Sequence, residues 1–286
     1  MKALFKRSVF IVLSTLLVAS LSIGLVGCGG GAATGSGESG TADSLTVIKV
    51  GATPSPHAEI LANLKDDLAA EGFDLQIIEY TDYVKPNLDT SAGDIIANFF
   101  QHQPYLDEFN AENGTDLVSA AIVHFEPLGI YPGKTTSLDD LADGATIAVP
   151  NDPTNEARAL HLLAAQGLIT LPANADLLIT PKDIVDNPKN IKFLEVEAAA
   201  VPRSLEEVDV AVVNGNYALD AGLDVSTALA TEDPDSQAAQ TFANILAVDV
   251  KNENDPGVLA LAKALTSDKT RDFIKSTYEG IVIPVF

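Results

Sequence analysis

From residue 45 onward, short β-branched runs alternate with amphipathic helical stripes, and few architectures accept that order. Residues 45–52 read as a strand, closed by Thr53-Pro54-Ser55-Pro56. Apolar residues at 60, 61, 64 and 68 predict a helix over 58–71, stopped by Gly72. Strands follow at 73–80, 94–100 and 117–125, with a helix over 104–113 between the last two. The pattern breaks at Glu126-Pro127 and resumes with a strand at 145–149. Asp152 and Pro153 then suit the N-cap and first position of a helix whose buried face carries residues 159, 160, 163 and 164. Strands at 191–196, 208–213 and 242–250 lead to two helices over 256–265 and 268–278. Repeated β-α units of this kind predict parallel sheets with helices on their faces. About 240 ordered residues exceed one average core, so the expectation is two lobes with a cleft between them.

The N-terminus is of a different kind. Lys2, Lys6 and Arg7 precede an uncharged apolar run over 8–26, which ends Leu25-Val26-Gly27-Cys28. Its length suits a membrane span, but Ser14, Ser20, Ser22 and Gly24 interrupt it and a small residue precedes the Cys. The run resembles a lipoprotein signal peptide (1–27) with its lipobox, which implies diacylglyceryl attachment at Cys28, the only cysteine. The alternative is an uncleaved anchor helix. Either way the globular part lies outside the cytoplasm. Residues 28–44 are rich in Gly, Ser, Ala and Thr and read as a flexible tether, of which 29–44 would reach roughly 20–24 Å as a random coil.

Lys+Arg 17 against Asp+Glu 40 gives a net charge of −23, which argues against nucleic acid as partner. One cysteine excludes a disulfide framework. Gly129-Ile-Tyr-Pro-Gly133-Lys134-Thr135 has one residue too few between its glycines for a phosphate loop, and Pro132 removes a backbone donor. No G-x-S-x-G or H-E-x-x-H motif is present. His57, His102 and His124 can be drawn as a zinc site, but no pair has helical i,i+4 spacing. A metal-delivery protein using those three is therefore the second reading, and a lipid-anchored hydrolase the third.

Two local groupings say more. In Asn151-Asp-Pro-Thr-Asn155-Glu-Ala-Arg158, Asn155 and Arg158 share one face of a helix's first turns. Free N–H groups and a guanidinium there suit a carboxylate. Pairing of Arg158 with Glu156 or a surface acid is an equal reading from spacing alone. In Asn98-Phe-Phe-Gln-His-Gln-Pro-Tyr105, strand alternation sends Phe99 and Phe100 to opposite faces. Phe100, Tyr105 and the upstream Tyr83 would then form an apolar box, or simply join the core.

Together with Gly51-Ala-Thr-Pro-Ser-Pro-His57-Ala-Glu, Asp82-Tyr83-Val84-Lys-Pro-Asn87, Glu126-Pro-Leu-Gly, Asp186-Asn-Pro-Lys-Asn190 and Pro202-Arg-Ser-Leu205, these segments resemble the NLPA family of methionine-binding lipoproteins. The resemblance runs from the lipobox to the C-terminus. It implies a type II periplasmic-binding-protein fold, with lobe 1 formed by 45–130 plus 245–286 and lobe 2 by 131–244. It implies no enzymatic activity and no cofactor, but capture of methionine, or a related amino acid or dipeptide, for an ABC permease and its ATPase. Tyr83, Phe100, His102 and Tyr105 would surround the thioether, and Asn155 and Arg158 would hold the carboxylate. Asn214 and Asn244 would fix the α-amino or carboxylate group from the other side. The protein would sit at the membrane's extracytoplasmic face through lipid on Cys28. Two positions depart from the pattern: Phe99 stands where a small residue is common, and Ile96 replaces a more polar one. A Phe99 that crowded the pocket would change the ligand.

Overall fold

A computed structural model describes residues 45–286, so the signal run, Cys28 and the tether lie outside the described residues. Two sheets organise it. The first contains β1 (Thr46–Ala52), β2 (Phe73–Glu79), β3 (Ala97–His102), β4 (Leu117–Phe125), β10 (Asn244–Asp249) and β11 (Ile283–Pro284), in the order β11-β4-β10-β3-β1-β2. The second contains β5 (Gly129–Pro132), β6 (Thr146–Pro150), β7 (Lys192–Val196), β8 (Val210–Val213) and β9 (Ala230–Thr231), in the order β7-β6-β8-β5-β9. Each sheet with its helices is one lobe, and the chain passes between them at 126–128 and again at 232–243.

The expected parallel sheets are in fact mixed. β1 runs parallel to β2 and β3, and β6 to β7 and β8. β10 is antiparallel to both β3 and β4, and β5 to both β8 and β9. β10 and β5 enter their sheets directly from the other lobe, so no crossover helix restores the common strand direction.

Among the described residues the helices follow their sequence signals, except that the first is broken and three further α-helices stand where none was expected. The stretch expected as one helix over 58–71 is a wide turn at Pro54–Ala58, then α1 (Glu59–Ala62) and α2 (Lys65–Ala70). α3 (Lys85–Ala92) lies where no helix was expected; Pro86 sits in its first turn and Gly93 ends it in the left-handed conformation. His102 caps α4 (Gln103–Asn113), its Nδ1 accepting from the Tyr105 N–H. Asp152 caps α5 (Pro153–Ala165) through the Asn155 N–H at 3.0 Å. α6 (Gly215–Asp220) and α7 (Gln237–Thr241) precede α8 (Pro256–Leu265) and α9 (Asp268–Tyr278).

The first lobe's core gathers Ile48, Val50, Leu61, Leu64, Phe99, Leu246 and Leu261. The second lobe's core packs Leu128, Ile147, Val149 and Val212 against Leu160 and Leu163 of α5. Among the described residues no helix is long and apolar enough to cross a membrane.

Candidate functional site

β3 is buried along its whole length, and its alternation divides two neighbouring rings. Phe99 turns into the core, edge-on to His57 at 4.8 Å and to His124 at 5.3 Å. It does not line the crevice, so the crowding considered above does not arise. Phe100 turns outward into a narrow crevice between the lobes. Tyr83 lies over it at 5.4 Å between ring centroids, and Tyr105 closes the side at 5.8 Å from Tyr83. Buried amides hold this box. Asn87 on α3 exchanges hydrogen bonds with Gln101 on β3 at 2.9 and 2.6 Å, which fixes the segment carrying Tyr83.

The opposite wall comes from the second lobe. Asn155 donates from Nδ2 to the Asp152 carboxylate at 2.8 Å, and since a carboxylate only accepts, this fixes which end of the amide is which. Asn155 Oδ1 must then accept, and it does so twice: from Asn214 Nδ2 at 2.8 Å and from His102 Nε2 at 3.1 Å. His102 is therefore the neutral Nε2–H tautomer. Burial, then the nearby Arg158 charge, lowers its pKa to about 3. Tyr83 donates to Asn216 Oδ1 at 2.5 Å across the crevice. These commitments leave two polar atoms with no partner among the described residues: Asn214 Oδ1, an acceptor, and Asn216 Nδ2, a donor.

Arg158 is the one cation in the crevice wall among the described residues. Of the two pairings considered from sequence, neither Glu156 nor a surface acid is its partner. Nε and Nη2 grip the buried Glu232 at 2.7 and 2.5 Å, and Nη2 also donates to the Glu126 carbonyl at 2.9 Å. The guanidinium lies 4.4 Å from the Phe242 ring centre. Nη1 has no hydrogen-bond partner among the described residues.

Glu126 supplies the wall's one acidic side chain among the described residues. Its Oε1 accepts from His124 Nε2 at 2.6 Å and lies 3.2 Å from His57 Nε2, which also reaches Asn244 Oδ1 at 3.0 Å. Burial lowers the pKa of His57 to about 4 and of His124 to about 3, so both rings are neutral donors. Burial also raises the Glu126 pKa, opposed by His57, Arg158 and the Asn216 backbone N–H. Of the three histidines in the metal reading, His57 and His124 come together with Glu126, their ligand atoms within 4.8 Å of one another. His102 is instead committed to Asn155 and the α4 cap. In the trio that remains both rings direct Nε2 at the Glu126 carboxyl group, and His124 Nδ1 has no partner among the described residues.

All eight residues singled out for the ligand border this one crevice, with Tyr83, Phe100, His102 and Tyr105 at the ring end and Asn155, Arg158, Asn214 and Asn244 at the polar end. Glu126, Gln101, Gly215 and Asn216, which the sequence analysis does not single out for the ligand, also line it. Gly215 is there for room: a Cβ on it would stand 2.7 Å from the Glu126 Cβ. The signal for Glu126 was present, an acid at the break between the lobes followed by Pro. Glu232 carried none, being one acid among 40 Asp and Glu.

Comparison with known proteins gives one consistent result. The family model described as NlpA lipoprotein matches residues 48–286. Membrane lipoprotein TpN32 of Treponema pallidum is 40% identical over 261 residues, covering 91% of this chain and 92% of the relative. A lipoprotein structure from Ruminococcus gnavus superposes with a TM-score of 0.83 at 50% identity, covering 84% of this chain and 100% of that one. A nutrient-binding protein from Burkholderia cenocepacia, solved bound to methionine, gives a TM-score of 0.79 at 43% identity, again covering 84% and 100%.

Proposed function

The chain belongs to the NlpA lipoprotein family, and from that premise we propose that it captures methionine, or a close derivative, and hands it to an ABC importer. The observation that carries this reading is the pair of unpartnered atoms in the crevice, Asn214 Oδ1 and Asn216 Nδ2. An acceptor and a donor left unpartnered in the wall of one crevice call for a ligand that brings both a donor and an acceptor. An α-amino acid does so. Its ammonium group meets Asn214 Oδ1 and the Glu126 carboxylate; its carboxylate meets Asn216 Nδ2 and Arg158 Nη1. Asn155 acts chiefly by aiming Asn214 and His102, and Asn244 by holding His57.

The ring end suits a thioether. Burying a side chain of this size contributes roughly 1.5–3 kcal/mol, and sulfur–aromatic contacts with Tyr83, Phe100 and Tyr105 add about 0.3–1.5 kcal/mol. The methionine-bound relative from Burkholderia cenocepacia supports this choice of side chain.

The protein acts as a carrier and performs no chemistry. Ligand favours the closed pairing of the lobes, because residues from both lobes touch it only then, and the closed form docks on a permease coupled to an ATPase. Cys28, outside the described residues, carries the lipid that keeps the protein at the extracytoplasmic face of the membrane. The test is calorimetric titration of ligand-stripped protein with L- and D-methionine, heat being the readout because the chain has no Trp. Absence of heat with both would end the methionine reading.

A further inference from the structure

Glu232 stands behind the crevice wall yet touches the one cation in it. Its carboxylate takes both Nε and Nη2 of Arg158, and Oε2 also accepts the Leu128 N–H at 2.8 Å. Both side chains of the ion pair are almost wholly buried. With Phe242 against one face and the Glu126 carbonyl on Nη2, the guanidinium cannot turn. Its charge is also already balanced. A carboxylate arriving at Nη1 therefore meets a cation shared with another carboxylate. In a buried site the two acids repel through it.

Glu126 adds to this bias. It faces the crevice with two neutral imidazoles, at His57 and His124, and no cation of its own beyond Arg158. With Asp152, which accepts from Asn155, the groups around the polar end thus amount to one positive charge and three acids. A ligand that brings only a carboxylate is opposed by these acids, Glu232 being the one in direct contact with Arg158. A ligand that brings an ammonium group as well is repaid by them.

We propose that Glu232 is a specificity-determining residue: by neutralising Arg158 it makes the crevice select the zwitterionic amino acid over the deaminated anion of the same shape. This rests on the amino-acid reading above and adds the charge class of the ligand to it. A plain structural prop would hold Arg158 in place without preferring one ligand charge over another.

The experiment compares three ligands with one thioether side chain: methionine, its 2-hydroxy acid analogue (an anion) and methioninamide (a cation). Affinities are measured on the full chain in detergent, for wild type, Glu232→Gln, Glu232→Ala and the control Glu71→Gln. Glu71 is a surface acid paired with Lys263, and its change removes the same charge far from the crevice. Wild type is expected to prefer methionine to the hydroxy acid. In both Glu232 variants the hydroxy acid should gain about tenfold relative to methionine, and the amide should lose ground. The control should leave the ranking as it was. Equal weakening of all three ligands in both variants would reduce Glu232 to a prop, and a wild type with no preference between methionine and the hydroxy acid would overturn the proposal outright. A wild type that binds none of the three marks a different failure, that of the amino-acid reading itself.

Discussion

The Tyr83 hydroxyl of the first lobe donates to Asn216 Oδ1 of the second at 2.5 Å, and this one bond fixes the direction in which the Asn216 amide presents its N–H groups. The same ring forms part of the aromatic box. A single tyrosine therefore joins the lobes, shapes the apolar end and orients a donor at the polar end.

Tyr83→Phe keeps the ring and removes only the hydroxyl. Affinity for methionine should fall roughly 2- to 10-fold, the net worth of one hydrogen bond, with little change in melting temperature. Unaltered affinity by calorimetry would show that the Asn216 orientation does not matter to the ligand.

Arg158→Gln removes the charge proposed to meet the ligand's acid end and strands Glu232. Loss of one member of a buried charge pair costs about 2–5 kcal/mol, so affinity should drop about 30- to 5000-fold. Melting temperature should fall as well, because Glu232 is left buried without a partner. The double change Arg158→Met with Glu232→Leu should restore most of the melting temperature and none of the binding. Recovery of binding in the double variant would count against any role for the guanidinium.

Gly215→Ala places a methyl group 2.7 Å from the Glu126 Cβ and 3.1 Å from its Oε2. Overpacking of this sort costs about 1–3 kcal/mol. It should be felt as weaker methionine binding, since Glu126 must move from the crevice wall. If affinity holds, Glu126 is not a ligand contact.

Three buried imidazoles make the fold acid-sensitive. Burial holds His57 near a pKa of about 4, and His102 and His124 near about 3, all below the usual 6.5. The unfolded chain takes up these protons first. Their contribution is therefore complete above pH 6.5 and is lost as the pH falls toward 4 and then 3. Each ring adds about 1.4 kcal/mol per pH unit inside that window, part of which the raised Glu126 carboxyl offsets. Denaturant unfolding between pH 7 and 4 should show the slope, and His124→Gln should reduce it by about one proton. A variant with the wild-type slope would contradict the assignment.

Glu156 predicts the opposite trend. Burial, together with Glu195 and Asp152, raises its pKa to about 7, and Oε1 has no partner among the described residues. A carboxyl raised in the folded state favours folding below its unfolded pKa near 4.5 and loses that advantage as the pH rises through 7. Glu156→Gln should raise the melting temperature at pH 8 by about 2–4 °C and have little effect at pH 5. An equal shift at both pH values would point to packing rather than ionisation.

Much of this molecule is legible in its sequence because local signals and tertiary fate agree. The stripe at 159, 160, 163 and 164 and the Asp152–Pro153 start gave α5, and period-two alternation separated Phe99 from Phe100. Strand direction was not legible: nothing local in Phe242-Ala-Asn-Ile distinguishes a strand returning from the other lobe from one returning by way of a helix. β5 was hidden inside a glycine-rich stretch that invited a phosphate-loop test, although its residues pair with Val210–Val213. At the site, motif-borne residues could be found, while Glu232 owes its role to a contact 74 positions from Arg158. A long-range ion pair leaves no periodic trace in a chain this rich in acids.

Arg158 is fastened to both passages between the lobes, to the first through the Glu126 carbonyl and to the second through Glu232. The end of the crevice proposed to take the backbone of an amino acid is therefore tied to the two connecting segments, where a swing of the lobes would move it least. The rings at the other end would travel furthest in such a swing. On the proposed reading the side chain would then be read in the last part of the stroke, after the common zwitterionic portion had been moored.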